Sequence, residues 1–185
     1  MTPFADLMAR LAEDDAGEAV ARLVDAGPAV VEPLLAALSS PADAVRAHAA
    51  DALGEIADRR ACEPLAHTLR DPSPTVRISA ALALGEMADT PAVPALLDAL
   101  SDSEGAVRGA CALALGQIGS GEALGPLLAL LTDTDGSVRG AAAWALGRLG
   151  DRCAVVPLRA LLTDPHPDTR DAAAEALSRL ERRRG

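Results

Sequence analysis

Apolar positions along this chain follow a helical rhythm, and the rhythm itself repeats. In VVEPLLAAL, Val30 to Leu38, apolar residues return at steps of three and four, which places them on one face of a helix. A second run, DAVRAHAADALGEIA from Asp43 to Ala57, carries its own stripe of Val45, Ala49, Ala52, Leu53 and Ile56. The pair Val45-Arg46 comes back as Val76-Arg77, Val107-Arg108, Val138-Arg139 and Thr169-Arg170, each step being 31 residues. Leu53, Leu84, Leu115, Leu146 and Leu177 keep the same step, as do Leu38, Leu69, Leu100, Leu131 and Leu162. Gly54, Gly85, Gly116 and Gly147 keep it until Ser178 breaks the row. Self-similarity at this period marks an array of helical pairs. No pair buries its apolar face alone, and stacked neighbours share a continuous core.

The period divides the chain into a degenerate unit at 1–26 and five repeats at 27–57, 58–88, 89–119, 120–150 and 151–182, expected to form one continuous domain. In each repeat a short first helix precedes a longer second one. Pro33, Pro64, Pro126 and Pro157 fall near the first turn of the first helices, where a missing N–H costs little. Asp58, Asp89, Ser120 and Asp151 stand just before those helices as natural N-caps. Ser73-Pro74 and His166-Pro167 mark starts of second helices. The degenerate unit places Phe4, Leu7 and Leu11 on one helix and Val20, Leu23 and Val24 on another, without a Val-Arg pair. The last repeat carries Asp171, Glu175 and Arg179 and closes on ERRRG. Both ends are expected to be polar caps of a complete array.

The pattern PLLxAL, then D-x-x-x-x-VR-x-x-A-x-x-AL-G-x-I, resembles the HEAT-like repeats of the phycobilisome-lyase type over roughly Gly27 to Arg182. The resemblance implies an all-α fold, a right-handed α-solenoid (superhelix) with the second helices lining its concave side. It also implies a structural ladder of Asp and Arg at Asp71/Arg77, Asp102/Arg108, Asp133/Arg139 and Asp164/Arg170. An Arg fork can bond both carboxylates and backbone carbonyls at the turns. In the first repeat Ser40 faces Arg46, so that rung is expected to be weaker.

On a helical wheel with Val45 and Ile56 toward the core, positions 47, 51 and 54 point away, flanked by 48 and 55. The row through 51 reads Asp51, Leu82, Leu113, Trp144 and Glu175: charged at its ends, large and apolar in its middle. The row through 47 reads Ala47, Ile78, Gly109, Gly140 and Asp171, and its glycines are expected to leave open floor beside the apolar stripe. The flank reads Glu55, Glu86, Gln117, Arg148 and Arg179, acidic toward one end and basic toward the other. An apolar centre with a charged rim is the layout of an interface. Trp144, the only tryptophan, is its candidate anchor. The competing structural reading has the ring merely covering a neighbouring helix. The regular return of glycines 54, 85, 116 and 147 reads as packing or helix curvature.

Composition narrows the function. Lys, Asn and Tyr are absent, and the net charge of −10 opposes nucleic-acid binding. The stretch MTPFADLMARLAEDD meets acidic residues too early to read as a secretory leader, no apolar run has membrane length, and three unpaired-looking cysteines lead to the expectation of a reducing cytoplasm. His48, His67 and His166 occupy different repeat positions without metal-ligand spacing, so no metal or cofactor is expected. Without Lys there is no phosphate loop, and no nucleophile elbow appears. Cys62 and Cys111 align with small apolar residues, Cys153 has no nameable base, and Asp14-Asp15 reads as a solvated turn. The expectation is a non-enzymatic, cytoplasmic interaction scaffold that grips a helix or extended segment of a protein partner, self-association being possible. The alternative implied by the resemblance is a subunit of a bilin lyase or isomerase, or a chaperone-like tetrapyrrole-binding factor.

Overall fold

The computed structural model describes residues 4–13, 16–88 and 90–182. The Asp89 cap, the Asp14-Asp15 pair and the last residues of ERRRG, Arg183 to Gly185, lie outside them. Every regular element among the described residues is helical. The longer elements are α1 (Ala5–Arg10), α2 (Gly17–Ala26), α3 (Val31–Ala37), α4 (Asp43–Ile56), α5 (Cys62–Thr68), α6 (Pro74–Met87), α7 (Val93–Ala99), α8 (Gly105–Ile118), α9 (Leu124–Leu130), α10 (Gly136–Leu149), α11 (Val155–Ala160) and α12 (Pro167–Arg182). The second helices α4, α6, α8, α10 and α12 begin at residues 43, 74, 105, 136 and 167, the 31-residue step read in the sequence.

A turn of 3₁₀ helix opens most first helices. Asp58, Ser120 and Asp151 accept hydrogen bonds there from the backbone N–H of Arg60, Glu122 and Cys153. Second helices end on a left-handed residue: Ala57, Ala88, Gly119 and Gly150, with φ of 53°, 49°, 76° and 80°. Glycine adopts this conformation without cost; the two alanines carry a Cβ into it.

The chain forms two compact units, Met1–Ala95 and Leu96–Gly185. In the first, the second helices α2, α4 and α6 lie side by side, with α3 against α4 and α5 against α6. Leu34, Leu53, Leu65 and Leu84 are fully buried between these layers. In the other unit α8, α10 and α12 lie side by side, backed by α9 and α11, around Leu115, Leu127, Leu146 and Leu158.

The glycine row is where second helices meet. A methyl group on Gly54 would lie 2.6 Å from Ala83 Cα, and one on Gly116 or Gly147 would lie 2.7 Å from Ala145 or Ala176 Cα. Hence position 54 does not point away from the packed structure as the wheel had it, and in the row at 47 Ala47 and Gly109 are buried while Ile78 and Gly140 are half-buried and Asp171 is exposed. A single helix wheel treats every face opposite the core as free. In the fold, the next repeat's second helix covers position 54, and the side chains that stay open lie in the rows at 51 and 55, joined by Ile78, Gly140 and Asp171 from the row at 47.

The arginines brace successive repeats. Arg46 reaches forward to Asp71 of the following repeat with two bonds, Nε to Oδ2 at 2.7 Å and Nη2 to Oδ1 at 2.8 Å. Arg108 holds Asp133 and Arg139 holds Asp164 in the same bidentate way, at 2.7 Å for each bond. Each arginine also donates from Nη1 to a carbonyl of its own turn, Arg46 to Ser40, Arg77 to Asp71, Arg108 to Asp102, Arg139 to Asp133 and Arg170 to Asp164, all at 2.8 Å. The same carboxylates accept from backbone N–H groups two residues on, for example Asp133 from Asp135 and Asp164 from His166. The expected weakness at Arg46 is therefore absent. Its own turn supplies only a carbonyl, which Ser40 offers as well as an aspartate does. Thr169, standing where sister repeats have Val, is buried and donates its hydroxyl to the Gly136 carbonyl at 2.8 Å.

Candidate functional site

The candidate residues fall in both units, and each group is described within its own. In the first unit, Asp51, Glu55, Leu82 and Glu86 line a cleft of about 300 Å³ with Gly17, Val20, His48 and Ala83. Leu82 is 36% exposed, and Ile78 is half-buried. His48 is tied by Nδ1 to the Leu11 carbonyl at 2.9 Å, which anchors α4 to the N-terminal helices. Burial pushes the Asp51 carboxyl above its usual range, against an opposing hydrogen bond from Ser79 and the nearby His48. Glu86 is pushed up as well, first by the partial burial of its carboxyl, which leans over Gly54, then by the charges of Glu55 and Asp51.

In the other unit, α10 and α12 approach closely because Gly147 and Ala176 face each other without bulk. Trp144 is half-buried. Its ring edge lies over Gly116, where a methyl group would come within 3.1 Å of Cζ3. The Arg148 guanidinium stands 5.2 Å from the ring centroid, and Arg148 Nε donates to the Gly116 carbonyl at 3.2 Å. This arrangement holds the indole on α8 by a cation–π contact and a backbone bond together. The ring thus covers part of a neighbouring helix, as the structural reading had it, and also borders an open cleft.

That cleft has a volume of about 510 Å³. Its walls are Leu113, Gly140, Ala141, Trp144, Thr169 and Ala172, and Asp135, Ser137, His166 and Asp168 stand at the end formed by the starts of α10 and α12. Gly140 is floor here: a methyl group on it would meet nothing closer than 3.7 Å. Gly109 is a correction, because it is buried beneath Ala141 and forms no open floor. Toward the other ends of α10 and α12, Gly147, Arg148, Arg179 and Arg182 line a separate cleft of about 380 Å³. Arg179 is bonded to Glu175 at 2.7 Å and Arg182 to the Ser178 hydroxyl at 2.8 Å. Gln117 is half-buried, and its Oε1 accepts no hydrogen bond.

Sequence reasoning missed Ala141, Ala172 and Arg182 as lining residues. Ala141 and Ala172 stand at position 48 of the repeat, which the wheel gave only as a flank. Arg182 was legible only as part of a polar tail. Among the described residues no cluster of His, Cys, Asp and Glu could hold a metal ion, and no helix is long and apolar enough to cross a membrane. Cys62 and Cys111 are buried; Cys153 is exposed, its thiol pushed up by the neighbouring Asp151.

Comparison with curated proteins finds no match. Among solved structures, an engineered protein is 26% identical, with a TM-score of 0.64 over 98% of each chain. The complex of CpcE and CpcF of phycocyanin lyase from Nostoc sp. PCC7120 is 27% identical, with a TM-score of 0.68 over 94% of this chain and 75% of that one. A designed armadillo repeat protein in complex with the peptide (KR)4 is 20% identical, with a TM-score of 0.63 over 95% of this chain and 98% of that one, a likeness of fold. The model for HEAT repeats matches residues 31–105, 65–136 and 93–178. With the 31-residue step, the paired helices and the Asp–Arg braces all falling in that register, the chain belongs to the HEAT-repeat family.

Proposed function

We propose that this protein is a non-enzymatic scaffold that docks a segment of a protein partner on the face of its second helices, with Trp144 as the anchor. The observation that supports it most is the open cleft of about 510 Å³ beside Trp144, walled by Leu113, Ala141 and Ala172. A large ring at the edge of an apolar cleft, with charge at its rim, matches the composition of interface centres. Leu82 and Ile78 extend the list of apolar candidates to the first unit, with Asp51, Glu55 and Glu86 as its polar rim. Stacked helical repeats in general offer extended surfaces of this kind for binding.

The test is to select binders from a random peptide library on the purified chain and to compare them on Trp144→Ala, with far-UV circular dichroism as the fold control. Binders that lose affinity for the variant while its fold is intact support the proposal. A panel that binds the variant as well as the parent sinks Trp144 as the anchor.

A second function is favoured by one observation, the likeness to the phycocyanin lyase complex together with arginines near an apolar cleft. In it the same surface takes a linear tetrapyrrole, whose propionates would meet Arg148 and Arg179. Mixing with a bilin and recording its visible absorbance decides it: a shift abolished by Trp144→Ala supports a tetrapyrrole site, and an unchanged spectrum dismisses one.

A further inference from the structure

Second helices of this chain do not ordinarily end in positive charge. The last turns of α4, α6 and α8 contain no basic residue. Those of α10 and α12 contain three, Arg148, Arg179 and Arg182, and all three line one cleft of about 380 Å³. Cations at helix C-termini are favourable in general, but α4, α6 and α8 form without them, so the fold does not require these. Glu175 offsets one of the three, through its 2.7 Å bond to Arg179. The described residues that line the cleft are three arginines and a glycine, a concentration of positive charge in a chain whose net charge is −10.

The surroundings give that charge a direction. The groove between α10 and α12 has acids at its start, Asp135 and Asp168, and an apolar middle around Trp144 and Ala172. Further along the same two helices, the separate cleft carries the arginines. From Gly140 to Gly147 the rise along α10 is about 10 Å, two helical turns. Arg148 belongs to both regions, since its guanidinium lies against the Trp144 ring and also faces the arginine cleft.

We infer that the occupant of this groove is an acidic protein segment: one apolar side chain beside Trp144 and, about 10 Å further on, a carboxylate held between Arg179 and Arg182. The inference rests on the docking function proposed above and names the chemistry of its partner. Charge complementarity carries it. A guanidinium pair suits the planar, two-oxygen carboxylate, and the acids at the other end of the groove repel a segment laid in the reverse direction. The chain's overall negative field opposes acidic partners at long range, so recognition depends on this one local exception rather than on steering.

The experiment uses the peptides selected from the random library on the intact chain. The expected outcome is a shared pattern, an apolar residue with Asp or Glu at constant spacing on one side. A synthetic peptide of that pattern, followed by Trp144 fluorescence, binds R179E and R182E about tenfold or more weakly, while R182K keeps most of the affinity. R182E matters because the hydrogen bond of Arg182 is to Ser178 and not to Glu175, so its loss of affinity does not come from breaking the Arg179–Glu175 pair. Peptides that need Trp144 but are neutral or basic, or that ignore the arginine variants, overturn the acidic occupant and leave the docking function standing. Peptides indifferent to Trp144→Ala overturn the docking function itself. Concentration-dependent self-association that the peptide competes away, seen by light scattering, overturns the partner segment in favour of a second copy of this chain.

Discussion

Gly147→Ala and Gly109→Ala are the same substitution on equivalent second helices, and the structure gives them opposite signs. In isolation each should stabilise its helix by about 1 kcal/mol, because Gly is that much poorer than Ala in a helix interior. At Gly109 the new methyl lies 3.9 Å from Ala141 Cβ, an ordinary contact, so the propensity gain survives. At Gly147 the methyl lies 2.7 Å from both Cα and Cβ of Ala176. Carbon atoms pack at about 3.5–4.0 Å, so α10 and α12 must part by roughly 1 Å. The atom met is backbone, which no rotamer change can move aside. Overpacking of this kind costs about 1–3 kcal/mol, and a backbone collision belongs at the upper end. Set against the propensity gain, the net is about 2 kcal/mol destabilising for Gly147→Ala and about 1 kcal/mol stabilising for Gly109→Ala. In a chain of this size those values correspond to a fall of about 4–8 °C and a rise of about 2–4 °C in Tm. Thermal and urea melts followed by circular dichroism measure both, and two probes are needed because repeat arrays need not unfold in one step. A Gly147→Ala protein as stable as the parent, or a shared sign for the two variants, would refute the close approach of α10 and α12.

Three further outcomes follow from particular groups. Asp71, Asp133 and Asp164 are held below the usual carboxylate range, first by the arginine each accepts from, Asp164 down to about 2. Their stabilisation is full above the unfolded pKa, near 4, and is lost as pH falls through the folded values. Asp51 and Glu86 are raised by burial, so they bind protons more tightly folded than unfolded and stability falls as pH rises through their folded values. Tm should therefore rise from neutral to mildly acidic pH and then drop steeply below about pH 4, and Asp51→Asn with Glu86→Gln should flatten the rise alone. Ala57→Gly and Ala88→Gly relieve left-handed backbone at φ of 53° and 49°. Relief of about 1–2 kcal/mol against an unfolded-chain entropy cost of about 0.4–1 kcal/mol predicts a net gain of up to about 1.6 kcal/mol each, read from urea midpoints. Trp144 is the only tryptophan and there is no tyrosine, so its emission is a clean probe. Acrylamide should quench it partially in the parent and more strongly in Arg148→Ala, which removes the guanidinium 5.2 Å from the ring; equal quenching would place Arg148 off the ring in solution.

The helices, their 31-residue register and the buried leucines were legible in the sequence because each is a local or periodic property. Apolar spacing specifies a helix within a few turns, and repetition specifies that neighbours stack. The Asp–Arg register was legible too, as identity at fixed steps. What the sequence by itself left open was which partner each group meets across repeats. Arg46 draws its carboxylate from Asp71, 25 residues ahead, while its own turn offers a carbonyl that any residue carries. The regular return of the glycine row marked packing or curvature, but what it packs against was not legible: it is the contact line between second helices, where Gly54, Gly116 and Gly147 meet Ala83, Ala145 and Ala176. That same packing left the rows at 51 and 55 open and closed the row at 54. It buried Gly109, and it brought Ala141, Ala172 and Arg182 to the clefts beside Trp144. Periodicity determines the elements and their order, since it acts through the chain's own geometry. The surface that remains open is decided by how closely two helices approach, and that distance is set by pairs of side chains that never meet in the sequence.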